Sequence, residues 1–181
     1  MLFETLLLQC LVRGTSLSDA GSRISLDLTE GETGAFFKLN NRQSEACLRV
    51  QGNICDGLVL YMRTSEKVLC LAELKGKNTD HAAEQILNTY KSLKTYLQHV
   101  QEDIYNSHWY GCPSCKPHIS TCVVCKKQVS TIRWKAYIYQ RGASPDPIKS
   151  ALVKELKQTF GEKGKGYDIS HDSDIGKFLR K

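Results

Sequence analysis

No apolar run in this 181-residue sequence reaches the roughly 20 residues that a helix needs to span a bilayer, so no membrane partner is expected. Met1 to Leu8 is apolar, yet it carries Glu4, has no basic stretch ahead of it and ends in no small-residue cleavage site. It therefore reads as a buried first helix instead of a secretory leader, and a cytoplasmic location is expected. Internal repeats and low-complexity tracts are absent. Acidic residues are outnumbered, 19 Asp and Glu against 25 Lys and Arg, for a formal net charge of +6. That excess is mild, but it favours a polyanionic partner over an acidic protein. The length suits a single compact domain, 1–181, able to bury a proper core.

Two strand-length apolar runs carry the most information. Asp56 to Met62 and Val68 to Lys75 are rich in branched and aromatic residues, and the polar stretch Arg63 to Lys67 between them suits a five-residue hairpin loop. Folding the pair about Ser65 brings Asp56 level with Glu73 or Leu74. Side chains alternate along a strand, so Glu73 and Lys75 share one face while Leu74 enters the core. Two carboxylates and a lysine thus meet at one end of an otherwise oily hairpin. Such carboxylates repel one another unless a positive group sits between them, and a hard divalent cation such as Mg²⁺ or Mn²⁺ prefers oxygen donors of this kind. A lysine beside it could help deprotonate water and offset charge developing on a phosphate.

Asp56, then Glu73-Leu74-Lys75 at the end of the next strand, then a helix bearing Gln85, resembles the PD-(D/E)xK nuclease superfamily of restriction enzymes, RecB-type exonucleases and archaeal junction resolvases. The resemblance covers about residues 45 to 140. It implies a restriction endonuclease-like α/β core, a mixed sheet flanked by helices, and Mg²⁺-dependent hydrolysis of DNA phosphodiesters. It also implies that Asp56 and Glu73 bind the metal, that Lys75 positions the attacking water, and that Glu45 and Gln85 complete the site. Defence against foreign DNA follows by the same analogy, and a domain this small is expected to use a homodimer or a partner subunit to hold its substrate. The chain departs from the pattern at Cys55, which stands where the motif proline would be, and at Tyr90, one residue late for the RecB-type glutamine–tyrosine spacing. An acidic-x-Lys tripeptide alone usually marks a solvated surface. Here an apolar strand precedes it, Gly76 follows it, and an aspartate occupies the matched end of the hairpin partner. The alternative function is a non-catalytic, zinc-stabilised nucleic-acid-binding or adaptor module on a nuclease-like fold.

The spacing of Ile86, Tyr90, Leu93, Leu97, Val100 and Ile104 predicts a long amphipathic helix, capped by Thr79 or Asp80. Next come Cys112, Cys115, Cys122 and Cys125, two Cys-x-x-Cys pairs six residues apart. Paired knuckles of this kind supply four thiolates to tetrahedral Zn²⁺, which predicts a structural zinc insertion over 106–130. An iron–sulfur cluster is the rival ligand, while disulfides do not suit a cytosolic chain. Cys10, Cys47, Cys55 and Cys70 lie in or near apolar runs and read as small buried hydrophobes.

From Ile132 to Arg141 the sequence alternates, with Arg133, Lys135, Tyr137, Tyr139 and Arg141 on one face. A basic and aromatic strand face could lie along a nucleic-acid backbone with rings stacked on bases. Equally, it could be the wet side of a half-buried sheet. Asp146-Pro147 predicts a helix start and Gly161 its stop. Residues 13–45, with their scattered turn formers and weak strand signals at Ile24 to Leu26 and Phe36-Phe37, read as an ordinary connector, with a loop lining the substrate cleft as the alternative. The glycine- and charge-rich tail from Glu162 to Lys181 reads as loosely held.

Overall fold

The computed structural model describes residues 10–40, 53–74, 78–106, 132–142 and 149–181, with side chains on the long helix described up to residue 95. The Met1 to Leu8 segment, Glu45, Cys47, Lys75, the four paired cysteines and the Asp146-Pro147 helix start lie outside the described residues, and so does the expected insertion beyond its first residue, Asn106.

The elements run β1 (Leu11–Val12), β2 (Ser16–Asp19), β3 (Ser22–Ser25), β4 (Glu32–Lys38), β5 (Gly57–Arg63), β6 (Glu66–Glu73), α1 (Thr79–Asn106), β7 (Ile132–Tyr139), α2 (Ser150–Phe160), β8 (Tyr167–Ser170) and α3 (Gly176–Leu179). Six of the strands form a mixed sheet in the order β1-β4-β5-β6-β7-β8, and β2 and β3 form a separate hairpin. Antiparallel pairing joins β1, β4, β5 and β6, whereas β7 and β8 run parallel to β6. A parallel neighbour needs a crossover connection, and α1 lies within the one from β6 to β7.

Both sheet faces are covered, as a sheet with parallel strands requires. On one face Phe37, Leu58, Leu69, Leu71, Ala136 and Ile138 share a core with Ala82, Ala83, Ile86, Leu87 and Leu93 of α1 and with Leu156 and Phe160 of α2. Opposite, Phe36, Val59, Tyr61, Val68, Cys70, Ala72 and Tyr137 meet Leu17, Ile24 and Leu26 of the small hairpin and Ile175, Phe178 and Leu179 of the C-terminal segment. Gly57 permits part of that cover, because a Cβ there would fall 2.3 Å from Leu17 Cδ2.

The β5–β6 turn is tighter than the sequence suggests. Arg63 pairs with Glu66, leaving a two-residue turn in which Thr64 takes φ +54°. Helix α1 starts as expected, but its cap is Asn78, whose side-chain oxygen accepts the His81 N–H at 3.0 Å. Asp80 instead accepts the Lys149 N–H at 2.9 Å, tying the start of α1 to that of α2. Gly161 ends α2 with φ +100°, as its position predicts.

Two expectations are overturned. Residues 13–45 contribute β2, β3 and β4, because the short apolar pairs Ile24/Leu26 and Phe36/Phe37 each find buried partners. The tail is also well anchored. It supplies β8 and α3, and Arg180 reaches back to Glu32 with Nε on Oε1 and Nη2 on Oε2, both at 2.8 Å. Thr29 N–H and Tyr61 Oη also donate to this carboxylate, at 2.8 and 2.7 Å. The Arg180 guanidinium, foremost among these donors, holds Glu32 well below the usual carboxylate range.

Candidate active site

Register places the acidic residues together. Gly57 pairs with Ala72, so one further step sets Asp56 against Glu73 at the carboxyl end of β6. The Asp56 N–H donates to Glu73 Oε2 at 3.0 Å, and the Leu74 N–H donates to Asp56 Oδ2 at 2.7 Å. Asp56 is 2 % exposed and Glu73 0 %. Leu74 is buried in the opposite core, as strand alternation predicts.

A third residue joins them from the segment that follows β4. Asn40 Nδ2 donates to Asp56 Oδ1 at 2.8 Å, while the Leu39 N–H donates to the Asp56 carbonyl at 2.9 Å. Asn40 was missed in the sequence because it sits in the stretch read as a connector. The available signal was its place directly after the apolar run Ala35 to Leu39.

The helix supplies the backing. Gln85, buried on α1, donates from Nε2 to the Ile54 carbonyl at 2.9 Å, two residues before Asp56. One turn on, Thr89 accepts the Cys55 N–H at 2.9 Å and donates to the Gln85 carbonyl at 2.7 Å. These bonds hold residues 54–56 in a fixed path where strand pairing runs out. Cys55 is no nucleophile, because burial first, then the Glu73 charge, push its thiol above the ordinary range.

Beyond this pair, β7 and β8 bring their carboxyl ends to the same edge. Gln140 Nε2 donates to Thr79 Oγ1 at 2.7 Å, and His171 Nδ1 lies 2.8 Å from the Gln140 carbonyl. Open α/β sheets bind ligands outside the carboxyl ends of parallel strands. Among the described residues, no group of three or more His, Cys, Asp or Glu side chains is placed to hold a metal. Any cation here would rest on two carboxylates and neutral oxygens. Among the described residues, the buried amide oxygens of Asn40 and Gln85 have no hydrogen-bond partner, so the donor set fits a hard cation.

The middle of the expected nucleic-acid strand face is covered, at Lys135 and Tyr137. Lys135 is 2 % exposed, and its Nζ donates to the Phe178 and Leu179 carbonyls at 2.9 and 3.2 Å beneath α3. Burial lowers its pKa to about 8. Tyr137 is buried with its hydroxyl on the Asp172 carbonyl. Arg133 pairs with Glu66, Arg141 donates to the Gly21 carbonyl, and Tyr139 is half-buried against the same core. Lys135 and Tyr137 are thus turned into the core beneath the C-terminal segment, whereas Arg133 and Arg141 stay exposed at the two ends of the strand.

Among the described residues, no helix is long and apolar enough to cross a membrane. No protein-family model, curated protein or solved structure matches the chain.

Proposed function

We propose that the chain is a Mg²⁺-dependent nuclease that hydrolyses DNA phosphodiester bonds on a core similar to that of the PD-(D/E)xK enzymes. The observation that carries this reading is the hydrogen-bonded meeting of Asp56 and Glu73 at the carboxyl end of β6, two residues before Lys75 in the sequence. The order of elements supports it: an antiparallel pair, then a helix with Gln85 facing back to residue 54, then a parallel strand.

Asp56 and Glu73 would hold the cation, with Glu45 as a further carboxylate. Bound there, Mg²⁺ would polarise the phosphodiester and lower the pKa of water. The chain does the rest. Main-chain N–H groups of Asp56 and Leu74 fix both carboxylates and prevent their collapse onto other donors. Gln85 holds the Ile54 carbonyl through its Nε2 and so braces the main chain leading into Asp56. Lys75 would orient the attacking water and neutralise charge on the phosphorane-like transition state. The four paired cysteines would hold structural Zn²⁺ in an insertion following α1.

One observation favours the second reading, a nucleic-acid-binding or adaptor module: both carboxylates are nearly fully covered. Plasmid cleavage by wild type and Lys75→Ala in Mg²⁺ or Mn²⁺ tests the choice. Cleavage by wild type alone supports the nuclease. DNA binding without cleavage in either metal supports the module.

A further inference from the structure

Resting on that reading of the site, we propose that Asn40 is a positioning residue of the cation centre, fixing Asp56 through its amide nitrogen and offering its amide oxygen to the metal. Three observations lead here. Asn40 follows β4, on the side of the sheet where β5 begins, and its Nδ2 donates to Asp56 Oδ1 at 2.8 Å. Asp56 Oδ2 is already taken by the Leu74 N–H at 2.7 Å, so the two donors together fix the rotation of this carboxylate. The Asn40 Oδ1 atom is buried and has no hydrogen-bond partner among the described residues.

Amide oxygen and nitrogen are often interchangeable in a hydrogen-bond network. Here they are not. Turning the Asn40 amide over would set its oxygen against a carboxylate oxygen, so the nitrogen must face Asp56. The same holds for Gln85, whose nitrogen faces the Ile54 carbonyl, which can only accept. Each side chain therefore leaves a buried amide oxygen with no partner among the described residues, an arrangement that costs stability without a donor or a cation. Hard cations take amide carbonyls as well as carboxylates, and outer partners that orient a ligand change affinity by about 10–100-fold. Gln85 lies behind the main chain of residue 54, whereas Asn40 touches the carboxylate itself. The assignment therefore falls on Asn40.

Binding of Mn²⁺ by the full-length chain, followed by electron paramagnetic resonance, tests this without any nuclease assay. Wild type should bind Mn²⁺, Asn40→Leu should bind about 10–100-fold more weakly, and Asn40→Ser should fall between them. Asn40→Asp should have a lower melting temperature without metal and a larger rise on adding Mn²⁺ than wild type, because a third carboxylate repels its neighbours until a cation arrives. That arm remains informative if Asn40→Leu does not fold. Binding by Asn40→Leu within twofold of wild type, or an Asn40→Asp rise no larger than wild type's, would overturn the role of Asn40 alone. Failure of wild type to bind Mn²⁺ would overturn the cation site and this inference with it.

Discussion

Asp56 and Glu73 each accept the main-chain N–H that opens or follows the other's strand: Asp56 N–H on Glu73 Oε2 and Leu74 N–H on Asp56 Oδ2. The β5–β6 ladder thus ends in side-chain bonds instead of a backbone pair. Two buried carboxylates are costly neighbours, and these donors are what the fold supplies to keep them there. Converting either to its amide places an NH₂ group against an N–H or removes charge from an acceptor. Asp56→Asn and Glu73→Gln should therefore lower the melting temperature, read by circular dichroism, and weaken Mn²⁺ binding at least about tenfold.

Thr89 offers a cleaner stability test. It is fully buried and joins the Cys55 N–H to the Gln85 carbonyl. Thr89→Val keeps the shape but strands that N–H, which should cost about 1–3 kcal/mol in urea unfolding. Mn²⁺ affinity should fall with it, since residues 54–56 lose their brace.

The Glu32–Arg180 pair should set the acid stability of the chain. Glu32 is held below its ordinary range in the fold, so its contribution is full above the unfolded value near 4.5 and is lost as pH falls. Arg180→Ala should lower the melting temperature by several degrees at pH 7, and the gap to wild type should narrow below pH 4. An unchanged melting temperature would mean the C-terminal segment is not anchored there.

Lys135 works in the opposite pH range. Below about pH 8 both the folded and unfolded chain carry its proton, and the penalty for burying the charge is fully present. Between about 8 and 10.5 only the unfolded chain is protonated, so stability should rise with pH across that window. Tyr137, which burial pushes up to about 12, should reverse the trend above pH 10. In Lys135→Met the rise between pH 8 and 10 should vanish, as measured by thermal unfolding.

What could be read from the sequence follows the range of the interactions involved. The β5–β6 pair and α1 were legible because apolar alternation and a three-to-four-residue stripe are local patterns, and the meeting of Asp56 with Glu73 followed from counting. Asn40 was not, since its role depends on β4 pairing with β5 across 16 residues. The tail misled for a similar reason. Its glycines and charges dominate the composition, while Ile175, Phe178 and Leu179 gain meaning only against β5, β6 and β7. The Arg133 to Arg141 face alternated as expected, yet alternation cannot reveal that α3 covers its middle at Lys135.

Cleavage of supercoiled plasmid, with DNA binding followed in parallel, tests the central claim most directly. Wild type should cleave in Mg²⁺ and stop in EDTA, and Glu73→Gln and Lys75→Ala should each lose at least about a hundredfold in rate while still binding DNA. Cleavage by either variant at the wild-type rate would contradict a catalytic centre built on Asp56, Glu73 and Lys75.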